Sequence, residues 1–221
     1  MWCIQEINDE YRKRMYDILD LYEKPYDHFN PVIGVDEKPK QLLEDSRTPI
    51  TMKPTCPEKT DYEYIRRGKI NVFVAVDFKG GKRYIKVTKR RTKQDFAKYI
   101  KHLVNVTFKN AKTLHIVLDN LNTHFLKSFY ETFEKEEADL LLSKIKFHYT
   151  PTHASWLNIA EIEINVMDIE CIGRRIKCPK ILRNEINEWM KKRNHQRKII
   201  DWRFTKNDAD RKLSKYYVNH I

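Results

Sequence analysis

Along the chain the spacing of apolar residues changes period several times, and each change marks an element. Between residues 6 and 23, Ile7, Tyr11, Met15, Ile18, Leu19 and Tyr22 recur at the intervals of one helical face, with Asn8 or Asp9 placed to cap it. KPYDHFNP breaks that helix, and VIGVD (32–36) predicts a short buried strand. After EKPKQLLED, the Pro- and Lys-containing stretch 46–60 reads as an exposed loop. INVFVAVDF (70–78) is apolar on both faces, as a strand covered on both sides must be. KGGKR (79–83) turns the chain into YIKVTK (84–89), and the hairpin so formed is expected in the middle of the sheet.

Thr92 and Asp95 form a capping box for a helix over 92–106 whose apolar face carries Phe96, Tyr99, Ile100, Leu103 and Val104. TLHIVLDN (113–120) predicts a buried strand, 125–143 a helix, IKFHY (145–149) a strand and 155–172 a strongly apolar helix. Pro179 suits the first turn of a further helix bearing Leu182, Ile186, Trp189, Met190 and Arg193, and Thr205 with Asp208 caps a last one. The order from residue 32 is β, β, β, α, β, α, β, α, an α/β pattern. Within 155–172, Asn158, Glu161, Asn165 and Asp168 stand three, four and three residues apart. A helix that otherwise reads as core is thus expected to bury a polar stripe.

A chain of 221 residues with 41% hydrophobic and 12% aromatic residues can build a substantial core and is no disordered tail. Its 43 Lys and Arg against 31 Asp and Glu leave +12, which suits a polyanionic partner: nucleic acid or an anionic membrane surface. No apolar run approaches the roughly 20 residues a bilayer span needs, and the N-terminus lacks a signal pattern, so no membrane partner is expected. Cys3, Cys56, Cys171 and Cys178 lack zinc spacing and read as reduced thiols, pointing to a cytoplasmic protein.

The candidate chemistry is positional. Asp36 ends the first predicted strand, Asp119 ends the fourth, and Glu161 lies one to two turns into the helix after the fifth. In an α/β sheet the carboxyl ends of neighbouring strands converge on one edge, so Asp36 and Asp119 meet if their strands are adjacent. Three carboxylates in one place repel each other, and a divalent cation removes the conflict. Such oxygen donors suit Mg²⁺ or Mn²⁺, and two ions roughly 3.5–4 Å apart serve phosphoryl transfer. Glu163 sits two residues beyond Glu161, about 200° around the helix, so the two cannot face one site. Glu161 shares the stripe; Glu163 lies opposite, nearer Glu170.

VIGVDEKP, VLDNLNTH and TPTHASWLNIAEIE resemble the three catalytic blocks of the DDE transposases of bacterial insertion sequences related to the mariner superfamily. DYEYIRRG, VFVAVDFKGGKR, VTKRRTKQDFA, WMKKRN and DWRFTKNDADRKL extend the resemblance over essentially the whole chain from about residue 30. It implies an RNase H-like fold, a mixed five-stranded sheet flanked by helices: 1–30 an N-terminal helix and linker, 31–173 the catalytic domain, 174–221 a C-terminal helical extension. It implies that Asp36, Asp119 and Glu161 are catalytic and hold Mg²⁺ or Mn²⁺, with Asn120, Asn122, His124 and Asn158 beside them. The reaction implied is metal-dependent cleavage of double-stranded transposon-end DNA and strand transfer of the freed 3′-hydroxyl into target DNA, by a homodimer on DNA in the cytoplasm at the nucleoid. Full-length relatives carry helix-turn-helix segments ahead of this domain, where one helix precedes the first strand here. The interval between Asp119 and Glu161 is also wider than in mariner proteins, through the segment around EKEEADLLL.

Blander readings stand beside these. An Asp at a strand end often serves a turn, and Asn158 can serve the helix start as third residue after a Ser155 cap. His124 and His153 read as structural rather than as bases, Trp156 as core or as a cover for the site. Asn165 and Asp168 read as groups behind the ligands or at a domain boundary. Arg83, Lys86, Lys89, Arg90 and Arg91, in a basic run with Lys82 and Lys93, and Arg174 and Arg175 are the candidate DNA contacts; a solvated face is the alternative. Two rival functions remain: a non-catalytic DNA-binding or assembly protein, and an RNase H-like nuclease without strand transfer.

Overall fold

In the computed structural model, which describes residues 6–121 and 126–218, helix α1 spans Asp9–Glu23 and is opened by Asn8, whose side chain accepts from the Tyr11 amide at 2.8 Å. Strands β1 (Val32–Asp45), β2 (Tyr64–Asp77) and β3 (Lys82–Thr88) follow as an antiparallel meander, then α2 (Lys93–His102) under the expected Thr92–Asp95 capping box. Next come β4 (Leu114–Leu118), α3 (Lys127–Tyr130), α4 (Lys135–Leu142), β5 (Ile145–Tyr149) and α5 (Ile159–Met167). Helices α6 (Pro179–His195) and α7 (Lys206–Leu213) complete the described chain, with Pro179 in the first turn of α6.

The sheet runs β3-β2-β1-β4-β5, with β1–β4 and β4–β5 parallel. The centre is therefore β1, and β3 is an edge, correcting the expectation that the β2–β3 hairpin is central. β2 is apolar on both faces because both faces are covered. Val72, Val74 and Val76 point into a layer with α1, α5 and α6, while Phe73 and Ala75 point into a layer with α2, α3 and α4. The β3 edge is closed by α6: Asn194 accepts from the Arg83 amide and donates to its carbonyl, both at 2.8 Å, standing in for a neighbouring strand.

β1 does not stop at Asp36 but runs on to Asp45, paired with β2 from Gly34↔Val76 to Asp45↔Tyr64. Pro39 fits because β4 covers β1 only over Val32–Gly34, so further along one side of β1 has no strand neighbour that would need an N–H. Beyond the sheet the two strands form an arm whose β2 half, Tyr64–Lys69, is exposed; the expected loop over 46–60 lies at its tip.

The single helix expected over 125–143 is two. Phe129 and Ala138 are both fully buried, yet nine positions apart on one helix they would lie on about opposite sides. Breaking the helix between α3 and α4 lets both reach the core. The expected helix 155–172 is likewise divided: a 3₁₀ turn (Ser155–Leu157), an extended Asn158, α5, and a π-helical turn (Asp168–Ile172). Asn158 itself, not Ser155, is the cap of α5.

Candidate active site

Parallel pairing sets Gly34 opposite Val117, so two residues further along Asp36 is level with Asp119, just past the end of β4. The Asp36 carboxylate accepts from the Glu37 amide at 2.7 Å and from Asn158 Nδ2 at 3.3 Å. Burial pushes its pKa up to about 7; the Glu37 N–H opposes this, and the charges of Asp119, Glu37 and Glu161 raise it further. Asp36, Asp119 and Glu161 are thus brought into one electrostatic neighbourhood.

Local structure explains how α5 comes so near. A Cβ on Gly34 would stand 2.6 Å from Ile159 Cγ2 and 2.9 Å from the Ala160 nitrogen, so only glycine admits the start of α5 at this distance from β1. Asn158 then ties the two together: its Oδ1 accepts from the Ala160 amide at 3.1 Å, while Nδ2 donates to the Val35 carbonyl at 3.0 Å as well as to Asp36. Cap and site role are one residue's work. The backbone broken at Asn158 is mended by Tyr22 of α1, whose hydroxyl donates to the Leu157 carbonyl at 2.8 Å and accepts from the Ile159 amide at 3.3 Å.

The polar stripe is not buried as expected. Asn158 alone is buried; Glu161 and Asn165 are exposed and Asp168 is partly exposed. The buried acid is Glu163, on the other face, 2.7 Å from Arg83 Nη2 and 2.6 Å from Arg193 Nε. Opposite the stripe, Asp36, Lys38 and Lys40 share one face of β1. Lys38 forms an ion pair with Asp168, and Lys40 donates to the carbonyls of Ile172 and Arg174. The sequence reading ended the strand at Asp36 and so did not place Lys38 and Lys40 on its face.

Asn120, after Asp119, donates to the Thr150 carbonyl at 2.7 Å and accepts from Arg14 at 3.2 Å, clasping the ends of β4 and β5 to α1. Asn122 and His124 lie outside the described residues. His153 is exposed in a loop with φ 61°, and Trp156 meets Phe204 edge to face at 5.3 Å.

The basic candidates separate by exposure. Arg83 is a correction: it is fully buried, bound to Glu163 and donating to the Lys198 carbonyl, and cannot reach a phosphate. Arg175 braces the arm through Asp45 at 2.8 Å and the carbonyls of Glu63 and Tyr62, with its guanidinium over Tyr64. Arg174 pairs with Glu185 yet stays largely exposed. Lys86, Lys89, Arg90 and Arg91 are exposed along β3 and the turn after it.

For a divalent metal the donor chemistry fits: hard carboxylate oxygens, one held at a raised pKa by burial first and by its acidic neighbours in addition, a cost that a cation would offset. Among the described residues, no three Asp, Glu, His or Cys side chains close around one point at ligand distance. Mg²⁺ needs only one or two carboxylates and completes its shell with water and substrate oxygens, so an open arrangement suits it.

A family model described as DDE superfamily endonuclease matches residues 31–183. Among solved structures the chain is similar to the Mos1 mariner paired end complex with Mn, at 13% identity and TM-score 0.57, covering 98% of this chain and 65% of that one. It is similar also to a pre-cleavage Mos1 transpososome (12%, TM-score 0.56, covering 100% of this chain and 67% of that one) and to the Mos1 Strand Transfer Complex (11%, 0.54, 100% and 66%). At such identities the likeness is one of fold, the RNase H-like arrangement that the sequence resemblance implied. The chain spans about two thirds of the length of these structures' chains. No curated protein matches.

Proposed function

This chain belongs to the DDE superfamily endonucleases, and from that premise we propose that it is the catalytic part of a transposase, cutting double-stranded DNA at transposon ends and joining the freed 3′-hydroxyl to target DNA. The observation that carries the reading is the level placement of Asp36 with Asp119, with the charge of Glu161 also felt at Asp36. These three residues would hold Mg²⁺ or Mn²⁺, most simply two ions. Bound there, the metal supplies activation of the attacking water or hydroxyl and stabilisation of the leaving oxygen. The Mn and Mg complexes of Mos1 support that choice of metal.

The chain's own residues do the positioning. Asn158 holds the Asp36 carboxylate through Nδ2 and the start of α5 through Oδ1, so the acid on β1 and the helix bearing Glu161 keep one geometry. Glu163, clamped by Arg83 and Arg193, anchors the opposite face of α5. Lys86, Lys89, Arg90, Arg91 and Arg174 supply exposed positive charge for a DNA backbone, while Lys38 and Lys40, on the Asp36 face of β1, brace the segment after α5 through Asp168 and the carbonyls of Ile172 and Arg174. The similar structures are a paired end complex and a pre-cleavage transpososome of Mos1, which supports duplex DNA as substrate; a homodimer on paired ends and a helix-turn-helix segment, upstream or on another polypeptide, belong to the same proposal.

Asp119→Ala is expected to reduce Mg²⁺-dependent nicking of transposon-end DNA by about a hundredfold or more while leaving most DNA affinity. Gel assays of nicking and mobility shift check this, and cutting at the parent rate would refute the assignment. A pre-cleaved end with a free 3′-hydroxyl should yield joined product; cutting without joining would leave a nuclease.

A further inference from the structure

At the end of the sheet away from Asp36 and Asp119, where β1 and β4 begin, lies a cavity of about 350 Å³ that the proposed chemistry does not use. Its size is at the lower end of the roughly 300–1,000 Å³ of small-ligand clefts. Leu21 of α1 and Val32 of β1 give it apolar walls. Three nitrogen-bearing side chains line it as well: Lys24 at the end of α1, Lys79 in the turn between β2 and β3, and His115 on β4.

The state of His115 is set from behind the cavity. The carboxylate of Asp17 on α1 can only accept, so Nδ1 of His148 beside it carries the hydrogen. A neutral imidazole with its hydrogen on Nδ1 has a lone pair on Nε2, and that nitrogen lies 3.0 Å from His115 Nδ1. His115 Nδ1 then donates, which leaves Nε2 as a bare acceptor on the ring that lines the cavity. Burial holds the pKa of His148 below the ordinary histidine range, in keeping with a neutral ring, although Asp17 opposes the shift. The charges felt at His115 are those of His148, Lys146, Lys24 and Asp17. Asp27 also lines the cavity, but its carboxylate is taken up by the Phe29 amide at 2.9 Å and Asn30 Nδ2 at 2.7 Å. The last carbonyls of α1 carry partial negative charge, and the Lys79 ammonium meets it by donating to the Lys24 carbonyl, with two further N–H bonds to give.

We propose that this cavity binds free phosphate or a phosphate monoester in the form that carries one proton, its anionic oxygens on Lys24 and Lys79 and its O–H donated to His115 Nε2. Two ammonium groups alone would take any small anion. A bare imidazole nitrogen beside them selects: sulfate and a phosphodiester bring no hydrogen, and each would set an acceptor against a buried lone pair. A phosphate monoester, with a second pKa of about 6, takes up the needed proton near neutral pH. Because the line from His115 through His148 ends on Asp17, an occupied cavity also holds α1 against the sheet.

The test uses the full chain with methyl phosphate as probe, and dimethyl phosphate and sulfate as anions that bring no proton. Long-range ¹H–¹⁵N spectra of the free protein should show the His115 hydrogen on Nδ1 and none on Nε2. Methyl phosphate should shift the Nε2 signal, and the other two anions should leave it in place. One proton enters with the probe, so its affinity is expected to fall about tenfold from pH 7 to pH 8. His115→Phe should abolish binding; if that variant does not fold, the Nε2 measurement on the parent decides alone. Hydrogen on Nε2 in the free protein, no shift with methyl phosphate, or an equal response to sulfate overturns the proposal. Further arms separate the sources of phosphate. A shift with a short oligonucleotide bearing a 5′-phosphate assigns the site to DNA ends, a shift with inorganic phosphate but not with that oligonucleotide assigns it to the free ion, and a shift with the unphosphorylated oligonucleotide overturns the proposal.

Discussion

Two glutamates separated by one residue have opposite fates, and their difference is one of surroundings. Glu161 is exposed in the first turn of α5, while Glu163 is fully buried between two guanidinium groups. Glu161→Gln should abolish nicking and leave the thermal midpoint within a degree or two, since an exposed side chain is exchanged for its isostere. Glu163→Gln should do the reverse in order of cause: breaking a buried ion pair costs about 3–5 kcal/mol, visible in urea unfolding, with activity lost as the fold loosens. Equal stability losses in the two variants would contradict the assignment of roles. That the two glutamates face opposite ways was legible in sequence, because 100° per residue separates neighbouring positions on a helix whatever the fold. That Arg83 is the partner of Glu163 was not legible, since β3 and α5 are far apart in the chain and a basic run on a hairpin reads as a surface.

At the level of elements, the site depends on how closely α5 approaches β1. Gly34 sets that approach, and Gly34→Ala would drive a methyl into Ile159 and the Ala160 backbone. Overpacking of this kind costs about 1–3 kcal/mol, and the displaced helix carries Glu161 away from Asp36. Nicking is expected to fall further than stability predicts, as measured by activity at a temperature where circular dichroism shows the variant folded. The sequence pattern located the elements that matter here but misjudged their extents. β1 continues through DEKPKQLLED because β2 pairs with it, and no local preference of a Pro- and Lys-containing segment announces that. The break between α3 and α4 likewise follows from two buried residues that one continuous helix would place on opposite sides.

Over the whole molecule, α1 is locked to the sheet by a hydrogen-bonded line running from Asp17 to His148 on β5 and on to His115 on β4, the two imidazoles 3.0 Å apart. Burial holds both imidazoles' pKa values down, that of His115 to about 4 with His148 adding to the shift. The unfolded chain therefore takes up protons near the ordinary histidine value of about 6.5 while the folded chain does not, so these groups destabilise the fold as pH falls from about 6.5 to 4. Asp36 acts in the opposite sense, its raised pKa favouring the fold as pH falls from about 7. The comparison that isolates the histidines is thus between the parent and His115→Gln: the variant should lose less of its melting temperature between pH 7 and 4.5. Equal losses would mean that the histidine line does not report α1 docking. Undocked, α1 would also withdraw Tyr22 from the start of α5 and Arg14 from Asn120, so the helix ahead of the first strand acts on the site.

Periodicity and cap chemistry by themselves determined the order of the strands, the capping boxes at Thr92 and Thr205 and the face of α5 that bears Glu161, while the quoted motifs carried the resemblance that implied an RNase H-like domain. These rest on interactions within a few residues, where spacing alone decides which side chains share a face. Tertiary structure alone decided that β1 lies at the centre beside β4, that Asn158 spans helix and carboxylate, that Arg83 is interior, and that His148 stands behind His115 at the wall of a cavity. Those depend on contacts between residues remote in the chain, whose free energy comes from burial and pairing that no local pattern encodes.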